Sequence, residues 1–181
     1  MEKHPNVEYI MLSERKIAKR VKELAAQMDK LYGGRKPVVV CILKGSVLFF
    51  TDLIRNMKTP LTIDFMSVSS YGSGTTSGEL KIKQDLATDI TGRDVLIVED
   101  IIDSGNTLYN LKKLLNARSP ASVNIVTLLD KPARREVPIE PEYTGFVIED
   151  EFVVGYGLDY AEEYRNLPYV GVLKRSVYEN N

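Results

Sequence analysis

Glu99, Asp100 and Asp103 are the side chains of this chain best placed to do chemistry, because of the residues around them. The run Val95-Leu96-Ile97-Val98-Glu99-Asp100-Ile101-Ile102-Asp103-Ser104-Gly105-Asn106-Thr107 puts two adjacent carboxylates after four apolar residues. A third carboxylate then heads a turn of small polar residues. Acids at the end of a buried strand are costly without a ligand or a metal. Glu99 and Asp100 can bind sugar hydroxyls or a hydroxyl-bound Mg2+. The turn Asp103–Thr107 opens a helix, so its backbone amides, including those of Gly105 and Asn106, can hold a phosphate with the hydroxyls of Ser104 and Thr107. Phosphate beside ribose describes a ribose-phosphate site. A core strand followed by a helix N-cap would account for Val95–Val98 and for Asp103, but not for the two further acids.

Other segments supply matching groups. Leu43-Lys44-Gly45-Ser46 follows an apolar strand, so its backbone amides can face a pyrophosphate at a helix start. Arg165 can grip pyrophosphate oxygens with its planar fork. The stretch Ser70-Tyr71-Gly72-Ser73-Gly74-Thr75-Thr76-Ser77-Gly78 is glycine-dense and low in hydrophobicity, and reads as a mobile loop able to shut over a reactive sugar and exclude water. Lys131 follows a strand ending at Leu129-Asp130, and the run Glu151-Phe152-Val153-Val154-Gly155-Tyr156-Gly157-Leu158-Asp159-Tyr160 mixes aromatics, glycines and acids.

Together these landmarks closely resemble the type I phosphoribosyltransferases, in the purine-salvage branch of bacterial hypoxanthine(-guanine) phosphoribosyltransferases. The resemblance runs from about Ile10 to about Leu173. It implies transfer of the 5-phosphoribosyl group from phosphoribosyl diphosphate to hypoxanthine, and to guanine second, giving IMP or GMP and pyrophosphate with Mg2+. It implies Asp103 as the general base facing the imidazole-ring nitrogen of the purine, and a cis peptide at Leu43–Lys44. It implies Lys131 donating to the 6-oxo group, which would reject the 6-amino group of adenine. Phe152 would stack on the base, the backbone of Val153 would read the base edge, and Asp159 would bind the Mg2+ associated with pyrophosphate. Ser70-Tyr71 matches the family's loop dipeptide. Ser46 stands where many relatives have glycine, Glu151 where several carry a basic residue, and Asn106 where mammalian members carry lysine. The resemblance also implies a homodimer or homotetramer, with residues 38–57 near the interface and Val47-Leu48-Phe49-Phe50 able to serve it or the core.

Composition narrows the alternatives. A formal net charge of −1 gives no electrostatic footprint for nucleic acid. That disfavours a phosphoribosyl-diphosphate-sensing regulator on the same fold, although Lys131, Arg134 and Arg135 could form a local basic patch. A pyrimidine or orotate transferase would lack the Lys131 and Phe152–Asp159 landmarks, and no G-x-G-x-x-G follows a strand for a nicotinamide cofactor. No apolar run reaches membrane-spanning length and the start shows no signal-peptide pattern. The single cysteine, Cys41, lies in an apolar strand, reads as core, and fits a cytoplasmic protein. His4, the only histidine, is expected in a loose terminus, which argues against histidine catalysis and zinc.

The elements that must position these groups alternate between apolar strands and amphipathic helices. Ser13 caps a helix to about Leu31 that Gly33-Gly34 ends; strands are expected at Val38–Leu43, Leu61–Val68, Leu80–Gln84, Val95–Val98 and Ser122–Leu129; and helices at about 47–57 and 107–116. The pattern predicts one α/β domain over residues 1–181, a mostly parallel twisted sheet with helices on both faces (the type I phosphoribosyltransferase fold), with a small C-terminal hood from about 138–181. With 44% hydrophobic residues the core is ample. Ligands of such sheets sit at the carboxyl ends of the strands, where Lys44, Glu99, Asp100 and Lys131 fall.

Overall fold

The structure, a computed structural model, describes residues 2–70 and 80–179. The loop expected at 70–78, with Tyr71, lies outside the described residues apart from the backbone of Ser70.

Continuous apolar runs form the central strands because both faces are covered. In β2 (Val38–Leu43), Val38, Val40 and Ile42 point to one side and Val39 and Cys41 to the other, and all are buried. The first set joins a core with Leu108, Leu111 and Leu115 of α3 (Asn106–Asn116); the second joins a core with α1 (Glu14–Tyr32) and α2 (Val47–Asn56). α1 starts at Ser13, whose Oγ accepts from Lys16 N at 3.3 Å, and buries Ile17, Val21, Leu24, Ala25, Met28 and Tyr32 along one stripe. Each fully buried aliphatic side chain of that stripe contributes about 1.5–3 kcal/mol.

The main sheet has six strands in the order β4-β3-β2-β5-β6-β7. β3 (Thr62–Ser70), β2, β5 (Asp94–Ile102), β6 (Ser122–Asp130) and β7 (Tyr143–Val147) are parallel, and β4 (Leu80–Gln84) runs antiparallel on the edge. A second sheet, β1-β9-β8, is antiparallel and joins β1 (Val7–Leu12), β9 (Val170–Leu173) and β8 (Val153–Val154). A short helix α4 (Arg175–Tyr178) follows β9.

The expected α/β architecture is observed, with four differences. β5 continues to Ile102, pairing Glu99 with Thr127 and Ile101 with Leu129, so the acids lie inside the strand rather than beyond it. Asp103 is not a helix cap; that place belongs to Gly105 at φ 84°, a conformation glycine adopts without steric cost. The small sheet is not drawn from 138–181 alone: β7 belongs to the main sheet, and β1 comes from the other end of the chain. His4 is docked, its backbone N donating to Tyr169 Oη at 2.8 Å and its ring edge-on to Tyr164 at 5.3 Å. Cys41 is core as expected: fully buried, 3.3 Å from Ser46 Oγ, with burial pushing its thiol up to about 11. Among the described residues no helix is long and apolar enough to cross a membrane.

Candidate active site

The carboxyl ends of β2, β5 and β6 meet the second sheet around two adjoining clefts. One, of about 250 Å³, is lined by Glu99, Ser104, Gly105, Thr107 and Gly45; the other, of about 520 Å³, by Lys131, Asp150, Phe152, Val153 and Asp159. Asp100, Ile101 and Asp103 line both.

Glu99 and Asp100 stand side by side at the floor. Burial first, then the neighbouring Asp100, pushes the Glu99 carboxyl well above its ordinary range. Burial raises Asp100 too, against the opposing pull of its hydrogen bonds, among them Ile101 N donating to Oδ1 at 2.8 Å. A carboxyl pair held against its own ionisation is suited to donors or a cation brought by a ligand.

The phosphate turn is built from behind. Arg135 donates to the carbonyl of Asp103 and pairs with the buried Asp130. A Cβ at Gly105 would collide with Ile139 and Arg135, so this turn tolerates only glycine. Ser104 Oγ accepts from Asn106 Nδ2 at 3.2 Å, which leaves its own hydrogen for a ligand. Asn106 also donates to Glu136 at 2.6 Å, so its side chain ties the turn together.

At Lys44-Gly45 the peptide Leu43–Lys44 is cis. A Cβ at Gly45 would overlap Asp100 Oδ2, and a Cβ at Gly157 (φ 101°) would overlap the Gly45 carbonyl. The turn is therefore pressed between β5 and the 155–165 segment. Ser46 points backwards: its Oγ is buried and donates to Ile42 O at 2.6 Å. The 155–165 segment holds Tyr156, Ala161, Glu162 and Tyr164 at φ between 49° and 72°, rare for non-glycine residues and frequent at functional sites. Tyr156 ties it to α2, donating to Asp52 Oδ2 at 2.6 Å. Glu162 Oε2 lies 2.9 Å from Lys44 Nζ and 3.4 Å from Arg165 Nη2, and its hydrogen bond from Lys44 lowers the carboxyl's pKa. Arg165 Nη1 also meets Asp159 Oδ1 at 2.9 Å and donates to Gly157 O at 2.8 Å. Lys44, distant in sequence, thus joins Asp159 and Arg165 in one cluster around Glu162.

At the other end, Lys131 is buried and donates to Glu151 O at 2.7 Å and to Asp150 Oδ1 at 3.4 Å. Arg134 Nε lies 2.6 Å from Asp103 Oδ1, off the direction a hydrogen bond needs. That buried oxygen has charge contact and no hydrogen-bond donor. Arg134 also reaches Asp150 Oδ2 at 3.3 Å. The run Lys131–Arg135 is thus no free basic face: Lys131 is buried, Arg134 pairs with Asp103 and Asp150, and Arg135 with Asp130. Phe152 is part-exposed towards the cleft, and Val153 is fixed in β8 opposite Val172.

Among the described residues, the expected site residues other than Ser70 and Asn106 fall at one of these clefts or the cluster beside them. The backbone of Ser70 ends β3 opposite Leu80. Arg134, Asp150 and Glu162 belong to the site and were not anticipated as such; Asp150 and Glu162 offered only charge beside an aromatic run. No group of three or more His, Cys, Asp and Glu that could hold a metal is present among the described residues. The carboxylates are instead the Glu99–Asp100 pair and, lining the second cleft, Asp159, so a Mg2+ there would need a ligand's own oxygens to complete its coordination.

Comparison with known proteins agrees with this geometry. The phosphoribosyl transferase domain family matches residues 10–161. The hypoxanthine-guanine phosphoribosyltransferase of Bacillus subtilis is 53% identical over 181 residues, covering 99% of this chain and 100% of that one. A crystal structure of a hypoxanthine phosphoribosyltransferase from Staphylococcus aureus superimposes with a TM-score of 0.94 at 53% identity, over 97% of this chain and 96% of that one. The bifunctional protein TilS/HprT of Listeria innocua is 54% identical over 97% of this chain, which spans only 27% of that protein's length. With a matching domain over most of its length and a relative aligned end to end, the chain belongs to the phosphoribosyltransferase family, in its hypoxanthine-guanine branch.

Proposed function

We propose that the chain salvages purines, transferring the 5-phosphoribosyl group of phosphoribosyl diphosphate to hypoxanthine, and to guanine, with release of pyrophosphate. The observation that carries this reading is the pair of clefts sharing Asp100, Ile101 and Asp103, one rich in phosphate and hydroxyl partners, the other carrying Lys131 and Phe152. The 5-phosphate takes the amides and hydroxyls of Ser104–Thr107. The ribose hydroxyls take Glu99 and Asp100; these carboxylates and Asp159 would hold Mg2+, which would supply positive charge against the leaving pyrophosphate. The pyrophosphate takes the Lys44-Gly45 amides and the cations of Lys44 and Arg165 in place of Glu162.

An imidazole-ring nitrogen of the base bonds to the anomeric carbon as the carbon–oxygen bond to pyrophosphate breaks. The nitrogen's proton passes to Asp103, whose Oδ1 is buried and accepts no hydrogen bond. Lys131 Nζ donates to a 6-oxo group, and adenine offers only donors there. The reading places the reaction in the cytoplasm, consistent with the reduced, buried Cys41, in a homodimer or homotetramer. α2 divides accordingly: Phe49 and Phe50 are core, while Val47 and Leu48 are each 37% exposed and available to a second copy.

The test is nucleotide formation from phosphoribosyl diphosphate and Mg2+ with hypoxanthine, guanine, xanthine and adenine in parallel. The 6-oxo purines turn over, adenine stays idle, and Asp103→Asn slows the reaction about a hundredfold or more. No turnover of any base, with phosphoribosyl diphosphate still bound, would overturn the enzyme reading in favour of a sensor.

A further inference from the structure

We infer that Tyr178, in the C-terminal helix α4, is a positioning residue for the purine: it fixes the plane of the Phe152 ring on which the base stacks. The inference rests on the reading of the second cleft as a purine site. Phe152 retains 38% exposure, yet two tyrosines hold it. The Tyr178 ring lies 4.8 Å from it at 22°, a stacked pair, and the Tyr160 ring meets it edge-on at 5.6 Å and 85°. Tyr178 lines the same cleft as Lys131 and Asp103.

The C-terminal segment grips position 152 twice. Leu173 N donates to the Phe152 carbonyl at 2.8 Å, while Tyr178 covers its ring. Tyr178 is itself anchored: Lys174 N donates to Asn6 O at 2.9 Å, and Val177 and Tyr178 pack on Val7, Val154, Tyr164 and Tyr169. A partly exposed phenylalanine without such a partner samples several rotamers and loses that freedom when a base binds. With Tyr178 stacked on it, the ring is held before the base arrives.

The experiment is steady-state kinetics on the full chain, varying hypoxanthine at saturating phosphoribosyl diphosphate and the converse, for wild type, Tyr178→Phe, Tyr178→Leu and Tyr178→Ala. Tyr178→Phe keeps wild-type constants. Tyr178→Leu and Tyr178→Ala raise KM for hypoxanthine about three- to tenfold, the loss of one aromatic stack, with KM for phosphoribosyl diphosphate unmoved. Should the alanine variant fail to fold, the leucine variant, which keeps the bulk and removes the ring, carries the comparison. An unchanged KM for hypoxanthine overturns the inference. So does a lowered one, which would make Tyr178 an occupant of the base's own place, and so does a joint rise of both KM values with a fallen Tm. Wild-type turnover separates the two ideas: with no base turned over, the salvage reading fails and Tyr178 falls with it; with turnover and indifferent variants, only Tyr178's role fails.

Discussion

Glu99 shows how much a single residue of this site depends on its ligand. In the unfolded chain its carboxyl titrates near 4.5, and in the folded chain burial and then Asp100 raise it well above that. Below the unfolded value both states hold the proton and the native state is not penalised. As pH rises towards the raised folded value, the unfolded state releases the proton more readily, so stability present in acid is lost. The Tm of Glu99→Gln therefore exceeds that of wild type by a margin that is smallest in acid, below the unfolded value of 4.5, and widens as pH rises above it. Calorimetry across that range checks it, and a margin that narrows with pH would contradict the assignment. At this scale the sequence displayed the groups but not their pairings. Glu99, Asp100, Asp103 and Lys131 stood out because charge at the end of an apolar run needs a reason. Arg134 looked like one of several surface cations, because its contacts with Asp103 and Asp150 span 31 and 16 positions and exist only once the chain has folded.

Among the elements, α1 does mechanical work far from the chemistry. It packs on the sheet face opposite α3, with Leu24 fully buried. Leu24→Ala is expected to cost about 2–5 kcal/mol and lower Tm by at least about 5 °C, while KM for either substrate stays within error in thermal melts and kinetics run on one preparation. A changed KM would show that α1 reaches the site. This helix was readable because its cap and its three-and-four spacing are local signals, as was the uniform apolar run of β2. β5 was placed too short because Glu99-Asp100 mimics a strand end, although its ladder with β6 includes Glu99 and resumes at Ile101. β1 passed unnoticed because its partner β9 lies some 160 residues away and its own pattern is mixed. Tertiary pairing, absent from any local window, decided both.

At the scale of the whole molecule, the proposed function has β2, β5, α3 and the 155–165 segment each supply part of one ligand's environment. Phosphoribosyl diphosphate with Mg2+ therefore stabilises the entire fold. At a hundred times its Kd the linkage is worth about 2.7 kcal/mol, a rise in Tm of about 5–10 °C for a domain of this size. Thermal shift titration measures it, and the rise should shrink when Mg2+ is chelated. Equal shifts with and without chelator would remove the metal from the binding scheme.

Gly157 meets the backbone of Gly45 with no room for a methyl group on Gly157. At this one contact the gap between the main sheet and the segment that faces it is set by peptide groups, which every sequence shares. Descendants of this chain can exchange the residues that project into the clefts and so change which base they accept. They cannot widen the mouth by substitution at this seam, so a bulkier acceptor would require an insertion rather than a point mutation.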